Sequence, residues 1–175
     1  MARIELSDVS TFDDAESAQH CRFPANLTRA LLRTGGCTAA FLDLGIALRT
    51  THLDAKQYEL VILRVAALSH SAYERMQHLE PARQAGWSEA EIAAIEQGDG
   101  SLLDPRSAAL VVFVDDCVQN VRVSDQSFMG IRKYLSENAV ADATLLVGFY
   151  MMTARFLETL AVDLDEVACD VLLNR

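Results

Sequence analysis

Apolar residues recur along most of this chain at the three- and four-residue spacing of amphipathic helices. One such segment covers residues 27–31 and stops at Gly35, and a second runs from 41 to 48. The run 111–114 would suit a strand, but it continues into polar residues without turn signals, so we interpret it as helix. The pattern predicts an all-α protein.

Helix-capping residues set the starts of several further helices. Asp54 with Gln57, and Ser88 with Glu91, have the spacing of a capping box, and Gly86 is a natural C-terminal cap. The predicted helices begin near residues 55, 73, 88, 105, 124 and 139, and the first two are separated by a break at 69–71. The helix that begins near 105 is expected to end near 121, and the last helix near 160. With neither a linker nor a repeat along the chain, residues 1–175 are expected to form one all-helical domain.

The last predicted helix is apolar on nearly every side. Such a helix lies either at the centre of a fold or at an interface between subunits. Its uncharged run, 143–154, is shorter than the roughly 20 residues that span a bilayer. We therefore expect no membrane association.

Charge and composition limit the functional classes. The chain has 175 residues, of which 51% are hydrophobic, and a formal net charge of −10. Binding to a nucleic-acid backbone or to an anionic membrane needs clustered positive charge, so both partners are disfavoured. Acidic residues follow the start of the chain at once, which does not suit a signal peptide, and a cytoplasmic location is expected.

The four cysteines give no redox or metal motif. Cys21, Cys37, Cys117 and Cys169 lie far apart without a CxxC pair, so reduced thiols are expected. Neither zinc-ligand spacing nor a nucleotide-binding or serine-hydrolase motif occurs. The sequence predicts no metal and no cofactor.

A short segment around residues 59–78 carries the candidate chemistry. Glu74 and His78 are four residues apart on a predicted helix, so their side chains share one face. Either the carboxylate orients the imidazole and the two form an acid–base unit, or they form only a surface pair. Glu59 faces either solvent or a pocket. Arg64 interrupts an apolar run, so its side chain either reaches solvent or pairs with a carboxylate of the protein or a substrate.

The same segment resembles the carboxymuconolactone decarboxylase family, which belongs to the alkylhydroperoxidase D-like superfamily. The resemblance rests on the ordered set ELVILRVA from Glu59, Tyr73-Glu74, His78, Ala85-Gly86, VRVSD from Val121 and LLVGFY from Leu145, within about residues 53–165. It implies an all-α bundle that assembles as a homo-oligomer, either a trimer or a hexamer.

The alkylhydroperoxidase D branch of that family uses a Glu, a CxxC pair and a His. Aligned from Glu59, its cysteine positions fall on Ser71 and Glu74, while its His falls on His78. Neither serine nor glutamate forms a disulfide, so a thiol peroxidase of that type is disfavoured. The chain is a family member without the CxxC pair.

The resemblance and the residues together favour a cofactor-free, lyase-like enzyme for a small anionic organic substrate. His78 would be the general acid–base, Glu74 would orient it or share its proton, and Glu59 would be a second carboxylate. Arg64 would hold a substrate carboxylate, with Tyr73 and Ser71 as further substrate contacts. Two alternatives stay open: a peroxidase-related protein that uses one of the scattered cysteines, and a non-catalytic helical oligomer that keeps the scaffold.

Overall fold

A computed structural model describes residues 2–169, and this part of the chain is helical without a strand. Its α-helices are α1 (Asp14–Arg22), α2 (Asn26–Leu31), α3 (Thr38–Ala47), α4 (Ala55–Leu68), α5 (Ala72–Gln84), α6 (Glu89–Gln97), α7 (Pro105–Gln119), α8 (Asp125–Ile131) and α9 (Glu137–Leu160). The predicted all-α fold is confirmed. The ends of the predicted 1–175 domain, residue 1 and residues 170–175, lie outside the described residues.

Helix α4 forms the centre of the bundle. It packs against α5, α6, α7 and α9, and every residue from Tyr58 to Ala66 is buried. Its start is the predicted capping box, in which Asp54 accepts a hydrogen bond from the Gln57 amide and Gln57 from the Asp54 amide. A helix surrounded on all sides buries polar residues along with apolar ones, and Glu59 and Arg64 are buried for that reason.

Helices α4 and α5 form a hairpin around the predicted break. His70 adopts a left-handed backbone with φ of 53°, which reverses the chain. Ser71 then caps α5, because its hydroxyl accepts a hydrogen bond from the Glu74 amide. The short connection packs α5 beside α4, so that His78 on α5 reaches Glu59 on α4.

Two boundaries differ from the sequence prediction, and one helix is additional. Helix α7 ends at Gln119, and α9 begins two residues before the expected start, where Ser136 caps it. Helix α1 did not follow from periodicity because none of its residues is buried, and only its capping box at Asp13 and Glu16 marks it.

Helix α9 crosses the bundle against α4, α5 and α7. By length and composition it could span a bilayer, but half of its apolar window is buried inside the bundle, as expected for a core helix. Its remaining face leaves Leu145 and Met152 about half exposed, at 52% and 46%. This helix therefore has both a core face and an apolar outer face.

The segment after α9 is held to the bundle by Asp165. Its carboxylate accepts hydrogen bonds from the Asn26 amide at 2.8 Å and the Gln77 side chain at 2.8 Å, and from the Tyr73 hydroxyl. These donors come from α2 and α5, so one carboxylate ties the C-terminal segment to both helices.

Candidate active site

His78 and Glu59 form a buried pair between α5 and α4. Nδ1 of His78 lies 2.8 Å from Oε2 of Glu59, and both side chains are 5% exposed or less. A carboxylate only accepts hydrogen bonds, so Nδ1 carries a proton and donates it to Glu59. In the neutral ring Nε2 is then the acceptor.

The acceptor side of this imidazole faces a phenol from α9. The hydroxyl oxygen of Tyr150 lies 3.0 Å from Nε2 of His78, and the two rings meet edge to face. Burial raises the pKa of Tyr150 well above 10, with Tyr58 and the two glutamates adding to the effect. Tyr150 therefore keeps its proton and donates it to Nε2. The resulting chain runs from Glu59 through His78 to Tyr150.

Glu74 approaches the same ring nitrogen without a hydrogen bond. Its Oε2 is 3.9 Å from Nε2 of His78, which is beyond hydrogen-bond distance. Burial raises the pKa of Glu74 to about 7, an effect that the nearby imidazole only partly offsets. At neutral pH a large fraction of Glu74 is therefore protonated and available to a ligand.

Glu74, His78 and Tyr150 border a cavity of about 100 Å³ that opens to the surface. We call its polar lining residues the floor: Tyr58, Glu74, His78, Tyr150 and Thr153. Its walls are apolar side chains from the α1–α2 connection, α2, α3 and α9: Phe23, Leu27, Phe41, Leu42, Ile46 and Phe149. The cavity is thus a small, mostly apolar space with acid–base groups in its lining, as many small-molecule sites are.

Arg22 and Arg49 also line this cavity. Arg22 donates to Asp43 at 2.5 Å and to Gln19 at 2.8 Å, so its guanidinium is fixed in place. Its charge is only partly balanced, since the pair is partly exposed to solvent. The positive side chains of the site therefore come from α1 and from the turn after α3.

Arg64 does not lie at the cavity, so the geometry does not support a substrate-carboxylate role for it. Its guanidinium binds both carboxylate oxygens of Asp115, at 2.5 and 3.0 Å, and the Glu96 carbonyl oxygen at 2.7 Å. The 3.6-residue helical period points this side chain toward α6 and α7, away from Glu59. Gly98, in a left-handed conformation, makes room for it, because a Cβ there would come within 2.5 Å of Arg64.

Tyr73 and Ser71 contribute less to the site than the sequence suggested. Tyr73 lines the cavity, but its hydroxyl donates to Asp165 and accepts from the Leu27 amide. Ser71 is the α5 cap and is not among the residues that line the cavity. Both side chains use their hydroxyl groups to fix the backbone around the site.

The geometry reverses the expected positions of the two glutamates. Glu59, rather than Glu74, makes the hydrogen bond that orients His78, and Glu74 faces the cavity. Tyr150 is only 7% exposed, as a core residue would be. Only the position of its hydroxyl beside His78 marks it as part of the site, and no local sequence pattern carries that signal.

None of the four cysteines lines the cavity within the described residues. Cys21 and Cys37 are exposed, and Cys169 is buried in the C-terminal segment. Burial raises the pKa of Cys117 to about 11, which opposes thiolate formation. Among residues 2–169 there is also no cluster of three or more potential metal ligands.

A protein-family model matches part of this chain. Residues 38–111 match the model of the carboxymuconolactone decarboxylase family. The predicted resemblance to this family is confirmed over that segment. The matched segment carries Glu59, Glu74 and His78, whereas Tyr150 lies beyond it. No curated protein gives a significant sequence match.

Solved structures share the fold of this chain. An alkylhydroperoxidase AhpD core from Ralstonia eutropha, described as an uncharacterized peroxidase-related protein, has a TM-score of 0.78 at 14% identity and covers 98% of this chain and 95% of its own. A protein of unknown function from Agrobacterium tumefaciens, related in its description to the antioxidant defence protein AhpD, has a TM-score of 0.70 at 18% identity and covers 75% and 92%. The fold is therefore AhpD-like.

Proposed function

We propose that this protein is a cofactor-free acid–base enzyme of the lyase type that acts on a small anionic organic molecule. The observation that carries the proposal is the buried Glu59–His78 pair, whose Nε2 side meets Tyr150 and Glu74 at the floor of an apolar cavity. In a buried ion pair that serves only stability, the polar atoms around the pair are normally all hydrogen-bonded. The carboxyl group of Glu74 instead lines the cavity, where a ligand can reach it.

The arrangement suits a reaction that passes through an enolate. When a carboxylate adjacent to an unsaturated lactone or ketone leaves as carbon dioxide, the electron pair of the broken C–C bond forms an enolate. A proton must then be delivered to carbon. The protonated form of Glu74 is an acid that lines the cavity, and Nε2 of His78 is the base that accepts and returns a proton there. An apolar surround strengthens each of these interactions by excluding water.

The anionic character of the substrate is supported by Arg22 and Arg49 rather than by Arg64. Both arginines line the same cavity as Glu74 and His78. A substrate carboxylate near the arginines would direct the reacting atoms toward His78. Electrostatic attraction of this sort orients a ligand even where the cation already has a partner.

Carbon dioxide release from 4-carboxymuconolactone and related small unsaturated carboxylates tests the proposal. For a compound that is turned over, His78→Ala should lower kcat by about 10²- to 10⁴-fold, the usual contribution of a general acid–base. His52→Ala is the matched control, since that histidine is exposed and does not line the cavity. Equal rates for wild type and His78→Ala would overturn the proposal.

A peroxidase-related activity is the second candidate, because a structure with this fold carries that description. Since the CxxC positions are Ser71 and Glu74, such an activity would depend on one of the four scattered cysteines. A peroxide assay on a variant with all four cysteines replaced by serine separates the two candidates. Loss of peroxide turnover in this variant would support a cysteine-dependent peroxidase. Turnover that persists would exclude a cysteine-dependent mechanism.

A non-catalytic oligomer that retains the scaffold is the remaining alternative. It predicts a site whose polar groups are all paired and no cavity beside them, and the open carboxyl group of Glu74 speaks against it. For the enzyme proposed above we also propose assembly into a homo-oligomer and a cytoplasmic location. The apolar outer face of α9 supports association between copies.

A further inference from the structure

Two side chains of the cavity floor that can donate hydrogen bonds lie near Nε2 of His78. Tyr150 and Glu74 come from different helices, α9 and α5, yet both oxygens lie near Nε2 of His78, at 3.0 and 3.9 Å. Both side chains are at least nine-tenths buried and line the cavity. One is a phenol that keeps its proton, and the other is a carboxyl group whose pKa is raised by burial to about 7.

We infer that Tyr150 and the protonated carboxyl group of Glu74 form an oxyanion-binding site for a planar enolate or phenolate held in this cavity. A phenol paired with a neutral carboxylic acid in an apolar surround is an effective oxyanion site, because both groups donate and neither brings a negative charge. This inference rests on the proposed function for the role of His78 as the base.

The hydrogen-bond chain explains how Tyr150 serves both the imidazole and a ligand. In the empty site its hydroxyl donates to Nε2. When a ligand O–H or C–H bond breaks, the proton moves to Nε2 and the electron pair stays on the ligand as an oxyanion. Nε2 then donates to the Tyr150 oxygen, and the phenol proton turns to the oxyanion. One proton is transferred, and no oxidant or reductant is needed.

The cavity walls define the rest of the ligand. Phe41 and Phe149 pack against each other with ring centroids 4.8 Å apart, and both border the cavity. Aromatic walls favour a flat ring, since aromatic groups stack or meet edge to face. The expected ligands are therefore compact planar oxyanions with a single ring rather than extended or flexible acids.

Binding of 4-nitrophenol tests this inference without any turnover. Its ionised form absorbs at longer wavelength than its neutral form, so one spectrum reports both binding and the ionisation of the bound ligand. The wild-type protein should bind it as the phenolate at a pH where it is mostly neutral in solution. Tyr150→Phe should weaken binding by about 10- to 100-fold, which is typical of a lost hydrogen bond to a charged group.

One control variant and one further test variant keep the experiment specific. Tyr134→Phe, the control, removes an exposed phenol away from the cavity and should leave binding unchanged. Glu74→Gln, the further test, keeps a donor but does not ionise, so it should bind the phenolate more tightly than wild type above neutral pH, where Glu74 carries a charge. Thermal unfolding of each variant verifies that the fold is intact.

The possible outcomes are distinct. Equal affinity of wild type and folded Tyr150→Phe, or binding of the neutral phenol alone, would overturn the inference. If 4-nitrophenol binds through Tyr150 but no unsaturated carboxylate is turned over, the oxyanion site stands and the proposed lyase reaction fails. If turnover depends on His78 but no phenolate binds, the proposed lyase reaction stands and the oxyanion site fails.

Discussion

Glu59 and His78 are 19 positions apart in the chain, yet a 2.8 Å hydrogen bond joins the Glu59 carboxylate to Nδ1 of the imidazole. The pair bridges the two helices of the α4–α5 hairpin and is buried on both sides. A buried carboxylate that accepts from Nδ1 fixes both the tautomer and the direction of the ring. The free nitrogen is thereby aimed at Tyr150, Glu74 and the cavity.

Replacement of Glu59 by glutamine should impair catalysis, although the side chain keeps nearly the same volume. The amide offers a donor as well as an acceptor, so His78 can adopt the wrong tautomer, and kcat should fall by about 10²- to 10⁴-fold. Nitrogen-15 NMR of the histidine ring checks the cause directly, since the Nδ1 proton signal should be lost or shifted. Glu80→Gln, on the exposed side of α5, is the control.

An unchanged His78 tautomer together with an unchanged kcat would show that Glu59 has no positioning role. A fall in kcat without a tautomer change would instead point to a charge effect of the carboxylate. The two measurements therefore need to be made on the same variant.

Glu74 should make the stability of the protein depend on pH. Its pKa is raised from 4.5 to about 7 on folding, so between these values the folded state binds more protons than the unfolded chain. The free energy of unfolding therefore decreases as pH rises through this window, by ~3 kcal/mol in total. Glu74→Gln does not ionise, and its stability should show a flatter dependence on pH.

Urea unfolding at several pH values measures this effect. Wild type and Glu74→Gln should have similar stabilities at the acid end of the window, and the variant should be more stable at about pH 8. Parallel curves for the two proteins over the whole range would contradict the prediction. Glu80→Gln, which changes an exposed carboxylate, should keep the wild-type slope.

Arg64 should matter for stability rather than for ligand binding. Arg64→Met leaves Asp115 without its bidentate partner and should cost about 3 kcal/mol in the free energy of unfolding. Arg75→Met breaks a pair with Glu96 that is half exposed, and should cost no more than about 1 kcal/mol. Chemical denaturation compares the two, and a weaker affinity for 4-nitrophenol in folded Arg64→Met would argue for a role at the site.

The outer face of α9 should mediate association between copies of the chain. Ala141, Leu145, Gly148 and Met152 share one exposed stripe at helical spacing, beside the exposed ring of Phe128. Leu145→Glu places a charge in this stripe and should shift the protein to a smaller species in light scattering coupled to size-exclusion chromatography. Val121→Glu, in the exposed connection between α7 and α8, should leave the mass unchanged.

The sequence by itself determined the helical architecture, because its signals are local. Capping boxes at Asp54 and Ser88 and the glycine cap at Gly86 all act within a few residues, and the structure has the predicted helix at each. Helix α1 shows the limit of this reasoning, since its residues are not buried and periodicity cannot mark an element that has no core face. The resemblance to the carboxymuconolactone decarboxylase family drew attention to Glu59, Glu74 and His78.

Tertiary structure decided which side chains meet. Spacing placed Glu74 and His78 on one face of α5, but only the packing of α4 against α5 made Glu59 the partner of the imidazole. Arg64 turned to Asp115 because α6 and α7 lie on its side of α4. Tyr150 reached His78 from 72 positions away, a relationship that depends on how α9 crosses the bundle. Contacts between distant segments depend on the whole packing arrangement, so periodicity and capping within one helix do not specify them.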